Sequence, residues 1–163
     1  HTAQQAVDAV FHVLGHETPP PCRTAETPLT GGSINRMDSF LKAVAQRDVD
    51  GIPTSTLKRM ATTYGTGYDR VLQMARDIPA LARPLGRNCD VIGAEILYAA
   101  RQQVALHLAD APVRRPEAGA ARPPGADAVE RASAIMARAH GWDEWRTRNE
   151  IGEVEAFFRL PRD

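Results

Sequence analysis

A Gly-x-Gly pattern stands in the stretch TYGTGYDR, residues 63–70, directly before the apolar run VLQMA. Closely spaced glycines can cradle a diphosphate, and dinucleotide-binding proteins carry them as GxGxxG between a strand and a helix. Here Gly65 and Gly67 supply the first two glycines, but Arg70 occupies the third position. The residues before Gly65 also have helical rather than strand periodicity. The pattern therefore favours a turn between two helices over a nucleotide site.

Two histidines have the spacing of metal ligands on one face of a helix. His12 and His16 stand four residues apart, which suits coordination of zinc from consecutive turns. Gly15 lies between them, three prolines follow at 19–21, and the sequence shows no evident third ligand. We interpret the pair as surface histidines at the end of a helix and predict no metal-binding residue in the chain.

Glu95 is the carboxylate whose surroundings could alter its chemistry. It lies in a nearly continuous apolar run, where a buried charge is costly unless it is paired. No partner carboxylate or nucleophile is evident nearby in the sequence, so acid–base catalysis is disfavoured. We predict a structural ion pair between Glu95 and an arginine of another helix, with Arg70 and Arg146 as candidates, and no catalytic residue.

Several neighbouring polar and aromatic residues are also predicted to be structural. Tyr98 is expected in the core with its hydroxyl at the edge, and Arg101 is expected to be a further internal partner. Trp142 and Trp145 are expected to pack under the last helix.

Residues 57–76 also match a helix-turn-helix DNA-binding motif. With Leu57 in the first position, Ala61 falls where the two helices touch, and Gly65 falls where the turn needs a positive φ. The second helix would present four polar side chains to a groove: Asp69, Arg70, Gln73 and Arg76. Any helical corner closed by glycine shares these features. A DNA-binding regulator is therefore the alternative function.

Helical periodicity predicts an all-α fold for residues 1–163, as a single domain. The predicted architecture is a compact bundle of six to seven helices around a buried central helix at about 90–109, with Asp90 as its N-cap. The other helices are predicted at 3–14, 34–48, 54–63, 68–76, 127–140 and after an N-cap at Asp143. Two stretches rich in proline and glycine, residues 15–33 and 112–126, are predicted to be irregular loops.

The amino-acid composition limits the cellular compartment and the classes of partner that we expect for this protein. Cys22 and Cys89 are the only cysteines and lie far apart, so a reducing, cytoplasmic compartment is expected. The formal net charge of zero argues against a generally basic protein that binds nucleic acid or membrane surfaces. No apolar run reaches the roughly 20 residues of a membrane span.

A series of short motifs occurs in a recognisable order. TPLTGG stands at 27–32, Tyr64-Gly65 precedes the VLQMA helix, AEILYAAR stands at 94–101, and GWD stands at 141–143. Together they resemble the C-terminal domain of FAD-dependent glycerol-3-phosphate dehydrogenases and the related α-glycerophosphate oxidases, over roughly residues 3–158. The resemblance implies structural roles for nine motif residues: Gly31, Gly32, Tyr64, Gly65, Glu95, Tyr98, Arg101, Trp142 and Asp143.

The resemblance implies an activity for a parent enzyme rather than for this chain alone. Such enzymes oxidise sn-glycerol 3-phosphate to dihydroxyacetone phosphate with FAD and pass the electrons to a membrane quinone or to oxygen. The flavin and the substrate belong to a larger N-terminal α/β region. The chain is therefore expected to be an inactive, cofactor-free C-terminal fragment of the flavoenzyme, with an architectural and docking role.

The implied partner is the N-terminal FAD-binding domain of the same polypeptide. The apolar stripe of the first predicted helix, which follows the expected junction with that domain, is the candidate docking surface. The resemblance leaves open a homo-oligomer, and a peripheral position of the parent on the cytoplasmic face of a membrane beside its quinone. No nucleic-acid partner is expected.

Overall fold

A computed structural model describes residues 2–16, 18–87, 89–111 and 123–159. The described helices are α1 Thr2–Val13, α2 Met37–Ala45, α3 Thr54–Tyr64, α4 Tyr68–Asp77, α5 Gly93–Gln102, α6 Ala126–His140 and α7 Glu144–Phe157. Short 3-10 turns lie at Gly65–Gly67 and Pro79–Ala82, and two strands, β1 Pro84–Gly86 and β2 Cys89–Ile92, precede α5. The prediction of a mostly helical, compact domain is confirmed.

The central helix starts later than predicted, because Asp90 belongs to a strand. β1 and β2 pair antiparallel, with Pro84 opposite Ile92. Asp90 is therefore not the N-cap of α5. Instead, the Glu95 carboxylate accepts a hydrogen bond from the backbone N–H of Ile92 at 3.0 Å, which satisfies one of the free amides at the start of a helix.

The central helix also ends earlier than predicted. Gln103 has left the helical conformation, and Val104 adopts a φ of +56°. A β-branched residue in this left-handed region cannot continue a right-handed helix. The segment from 103 to 109, where the last two turns of the helix were predicted, therefore runs as a loop.

α5 divides the hydrophobic core into two clusters. Every residue from 93 to 100 is buried. Ala94 and Tyr98 pack with side chains of α2, α3 and α4, whereas Ile96 and Ala99 pack with side chains of α6 and α7. A helix that is apolar on all sides needs neighbours on all sides, and the prediction that the central helix is buried is confirmed.

The two predicted loops have different outcomes. Between Val13 and Met37, a range that contains the predicted loop 15–33, no helix or strand occurs among the described residues. Of the predicted loop 112–126, residues 112–122 lie outside the described residues. Pro123 to Gly125 form no regular element, and Ala126 already begins α6.

Candidate functional site

The two glycine motifs of the sequence contact each other through their backbones. Gly31 has a φ of +84° and Gly65 a φ of +56°, conformations that glycine adopts without a Cβ clash. A Cβ on Gly31 would lie 2.2 Å from the carbonyl oxygen of Tyr64, and a Cβ on Gly65 would lie 2.0 Å from that of Gly31. The backbone N–H of Thr66 donates to the same Gly31 oxygen at 3.0 Å. We call this contact the glycine seam.

The glycine seam explains the Gly-x-Gly pattern. The loop that contains Gly31 lies on the corner between α3 and α4, so the space around Gly65 is filled by the protein's own carbonyl group. Gly67 follows in a 3-10 turn and is buried. The Gly-x-Gly pattern therefore forms the turn between α3 and α4, and the loop that contains Gly31 packs on this turn.

Glu95 lies at the centre of a buried polar cluster beside the seam. Its side chain is fully buried and pairs with Arg59 of α3, with Arg59 Nη2 at 2.5 Å from Oε1 and Nη1 at 2.9 Å from Oε2. The Tyr64 hydroxyl donates to Oε2 at 3.1 Å. The predicted ion pair with an arginine of another helix is present, but the partner is Arg59, and both suggested partners, Arg70 and Arg146, are wrong.

The pKa shifts within the cluster keep the Tyr64 hydroxyl protonated and the Arg59 guanidinium charged. Burial, and then the charge of Glu95, raise the pKa of the Tyr64 hydroxyl well above its ordinary value, so the tyrosine remains a hydrogen-bond donor. Burial alone would lower the pKa of the Arg59 guanidinium, but its hydrogen bonds to Glu95 and the attraction between the two charges raise it overall. Since both carboxylate oxygens of Glu95 are engaged by donors, the arrangement favours a structural role over proton transfer.

A cleft of about 590 Å³ opens beside the glycine seam. Five motif residues from three parts of the chain line it: Gly31, Gly32, Tyr64, Gly65 and Tyr98. The rings of Tyr64 and Tyr98 meet edge to face, with centroids 5.6 Å apart. No described residue that lines the cleft carries a charge.

The cleft does not fit the diphosphate of FAD. A diphosphate needs a lining cation or free backbone amides at a glycine-rich turn. The cleft lacks such a cation among its described residues, and the approach to Gly31 and Gly65 is closed by the protein's own carbonyl groups. The same uncharged lining is unsuited to the dianionic phosphate of glycerol 3-phosphate.

The remaining motif residues are dispersed. Arg101 is exposed, so the expected internal partnership is wrong. The Asp143 carboxylate accepts from the backbone N–H of Arg146 at 2.7 Å, as the predicted N-cap of α7. Trp142 packs against the α6–α7 side of the core, but Trp145 is 69% exposed, so its predicted packing under the last helix is wrong.

The contacts of α4 do not favour the DNA-binding alternative. Asp69 Oδ1 accepts from Arg47 Nη1 at 2.6 Å, and the Gln73 amide donates to Asp77 at 2.8 Å. Two of the four side chains expected to face a groove are therefore engaged within the protein, and the loop that carries Gly31 covers the corner between the two helices.

A comparison with known proteins identifies the family to which this chain belongs. A family model described as the C-terminal domain of alpha-glycerophosphate oxidase matches residues 22–147. The chain belongs to this family. The matched range contains the glycine seam, the Glu95 cluster and Asp143, so the motifs that form contacts in the structure lie inside the alpha-glycerophosphate oxidase C-terminal domain.

Individual relatives extend this result. The chain is 26% identical to proteins named glycerol-3-phosphate dehydrogenase 2 from Mycobacterium bovis and Mycobacterium tuberculosis, and the similarity covers 94% of the chain and 27% of each relative. The chain thus spans about a quarter of the length of the curated relatives it matches. No solved structure shows significant similarity to it. Every helix that the structure describes falls short of the length and apolar character of a membrane span.

Proposed function

We propose that the chain is the non-catalytic helical C-terminal domain of an FAD-dependent sn-glycerol-3-phosphate dehydrogenase, with an architectural role beside the flavin-bearing part. The observation that carries the proposal is the similarity to glycerol-3-phosphate dehydrogenase 2, which covers nearly all of this chain but only 27% of each relative. The oxidation of glycerol 3-phosphate to dihydroxyacetone phosphate would then be performed by the remaining, larger part.

The poor fit of the cleft to FAD supports the assignment of cofactor binding and catalysis to the larger part of the parent and not to this domain. In the proposed parent, FAD accepts the hydride, and its diphosphate is bound by the N-terminal domain. This chain contributes a helical body in which two of the motifs are engaged by contacts within the domain: Gly31 contacts Gly65, and Glu95 pairs with Arg59. We also propose that the parent works in the cytoplasm, where the free thiols of Cys22 and Cys89 remain reduced.

The apolar face of α1 is the surface that we propose for docking onto the flavin-bearing part. No residue of α1 is buried, and Val7, Val10 and Leu14 are 52%, 56% and 68% exposed. An amphipathic helix normally covers its apolar stripe with another element. α1 also lies outside the range matched by the family model, which suits a connecting helix.

We expect Val10→Asp in the full-length enzyme to lower the midpoint of urea unfolding and to release FAD at a lower urea concentration, as followed by flavin fluorescence. Burial of one valine is worth about 1.5–3 kcal/mol, so docking should weaken by about tenfold or more. Gln5→Asp, on the opposite side of α1, is the matched control and should behave like the wild type. Equal unfolding of all three proteins would contradict docking through α1.

A further inference from the structure

The last helix is attached to the domain by few buried residues. Only Glu150 and Val154 of α7 are buried, and one of these two is a carboxylate. Glu150 Oε2 accepts from the backbone N–H of Leu108 at 2.7 Å, which ties α7 to the loop after α5. Glu150 therefore adds a polar contact between this loop and α7 to the apolar packing of Leu108 and Val154 in the same core cluster.

His107 and Glu153 complete a cluster of ligand atoms at this junction. His107 Nδ1 lies 3.1 Å from Glu150 Oε1, and Glu153 follows one turn after Glu150 on the same helix. One ligand atom from each of the three residues lies within 4.8 Å of the others. The His107 backbone N–H donates to Asp110 at 3.1 Å, which orients the loop that presents the imidazole.

We propose that His107, Glu150 and Glu153 bind a divalent transition metal of the zinc class, which joins the loop 103–109 to α7. One imidazole and two carboxylates form a ligand set that zinc accepts, with bonds of about 2.0–2.2 Å and water in the remaining position. The exposed Glu153 and the half-exposed His107 can rotate to close the present separation. The buried carboxylate is already positioned by Leu108 and needs little movement.

The Arg146 guanidinium is the cation that would compete with a metal ion for the Glu150 carboxylate. Its Nη2 lies 3.2 Å from Glu150 Oε1, and its guanidinium carbon lies 5.3 Å from the centre of the Trp142 ring. The side chain is about half exposed, so it can leave the carboxylate and remain stacked on the tryptophan. In the absence of metal, Arg146 therefore supplies positive charge to the buried Glu150 carboxylate.

Titration of the chelator-treated protein with Zn²⁺ and Co²⁺ tests this proposal. We expect one equivalent of Zn²⁺ to bind by calorimetry, a rise in melting temperature, and visible absorption bands from bound Co²⁺. His107→Asn and Glu153→Gln should each weaken binding by about tenfold or more, and Arg146→Leu should strengthen it because it removes the competing charge.

Glu155→Gln is the matched control, because Glu155 is an exposed glutamate of α7 that pairs with Arg159 at 3.6 Å outside the cluster. It should bind Zn²⁺ like the wild type. The proposal is overturned if the wild type binds no metal, or if His107→Asn and Glu153→Gln bind Zn²⁺ as tightly as Glu155→Gln. Neither result depends on whether the parent is a glycerol-3-phosphate dehydrogenase.

Discussion

We expect Arg59→Met to lower the free energy of unfolding of this domain by about 3 kcal/mol or more, because it leaves the fully buried Glu95 carboxylate without its cation. Removal of one partner from a buried ion pair typically costs about 3–5 kcal/mol. Methionine retains the apolar stem of the side chain, so the loss reports on the charge. The second partner of that charge, the Asp90 carboxylate at 3.1 Å, is 67% exposed, so its share of the loss should be small. Chemical denaturation monitored by circular dichroism measures the effect.

The matched control for this variant is Arg70→Met. Arg70 is an exposed residue of α4, so its substitution should change stability by no more than about 0.5 kcal/mol. The double variant Arg59→Met with Glu95→Gln should recover part of the loss, because no unpaired charge remains buried. The new amide can still accept from the Ile92 backbone N–H and donate to the Tyr64 hydroxyl oxygen, the two groups that contact Glu95. If Arg59→Met and Arg70→Met were equally stable, the Arg59–Glu95 pair would not hold α3 against α5.

Gly31→Ala has the second large effect that we expect, a loss of about 2–5 kcal/mol in the same unfolding measurement. The loss combines the cost of a positive φ for alanine, about 1–2 kcal/mol, with overlap between the new Cβ and the Tyr64 carbonyl oxygen at 2.2 Å, about 1–3 kcal/mol. The neighbouring atom belongs to the backbone of a helix end, so it cannot move aside without disturbing the corner between α3 and α4.

Gly51→Ala separates the two contributions. Gly51 has a φ of +75°, but nothing lies within 4 Å of the position of a new Cβ. Its substitution should therefore cost only the conformational part, about 1–2 kcal/mol. If Gly31→Ala and Gly51→Ala were equally destabilising, the glycine seam would contribute nothing beyond backbone conformation.

The sequence predicted these features individually but not their contacts. The TPLTGG loop, Tyr64-Gly65 and Glu95 were each recognisable as motifs from residue type and local periodicity. Their meeting at one seam depends on how a loop folds back onto a distant helical corner, which no local pattern encodes. The choice of Arg59 over Arg70 or Arg146 likewise depends on the placement of α3 against α5.

Within the part of the chain that the structure describes, the predicted helices are correct in number and order. The errors lie at helix ends, where tertiary contacts outweigh the local hydrophobic periodicity. Strands β1 and β2 have three and four residues, and β1 contains both proline and glycine, so they carry almost no alternating pattern. The apolar residues after Gln102 continue a helical pattern, yet Val104 turns the chain out of the helix. The exposed position of Trp145 was also missed, because tryptophan is highly buried on average and its 69% exposure runs against that tendency.

The FAD content of the chain and of the proposed full-length parent tests the central claim most directly. Both proteins should be titrated with FAD and then assayed for reduction of a dye by glycerol 3-phosphate. We expect the chain of residues 1–163 to fold as helices, to bind no FAD and to reduce no dye, whereas the full-length protein binds FAD and is active. Stoichiometric binding of FAD by the chain alone, or dye reduction by it, would contradict a non-catalytic, architectural role for this domain.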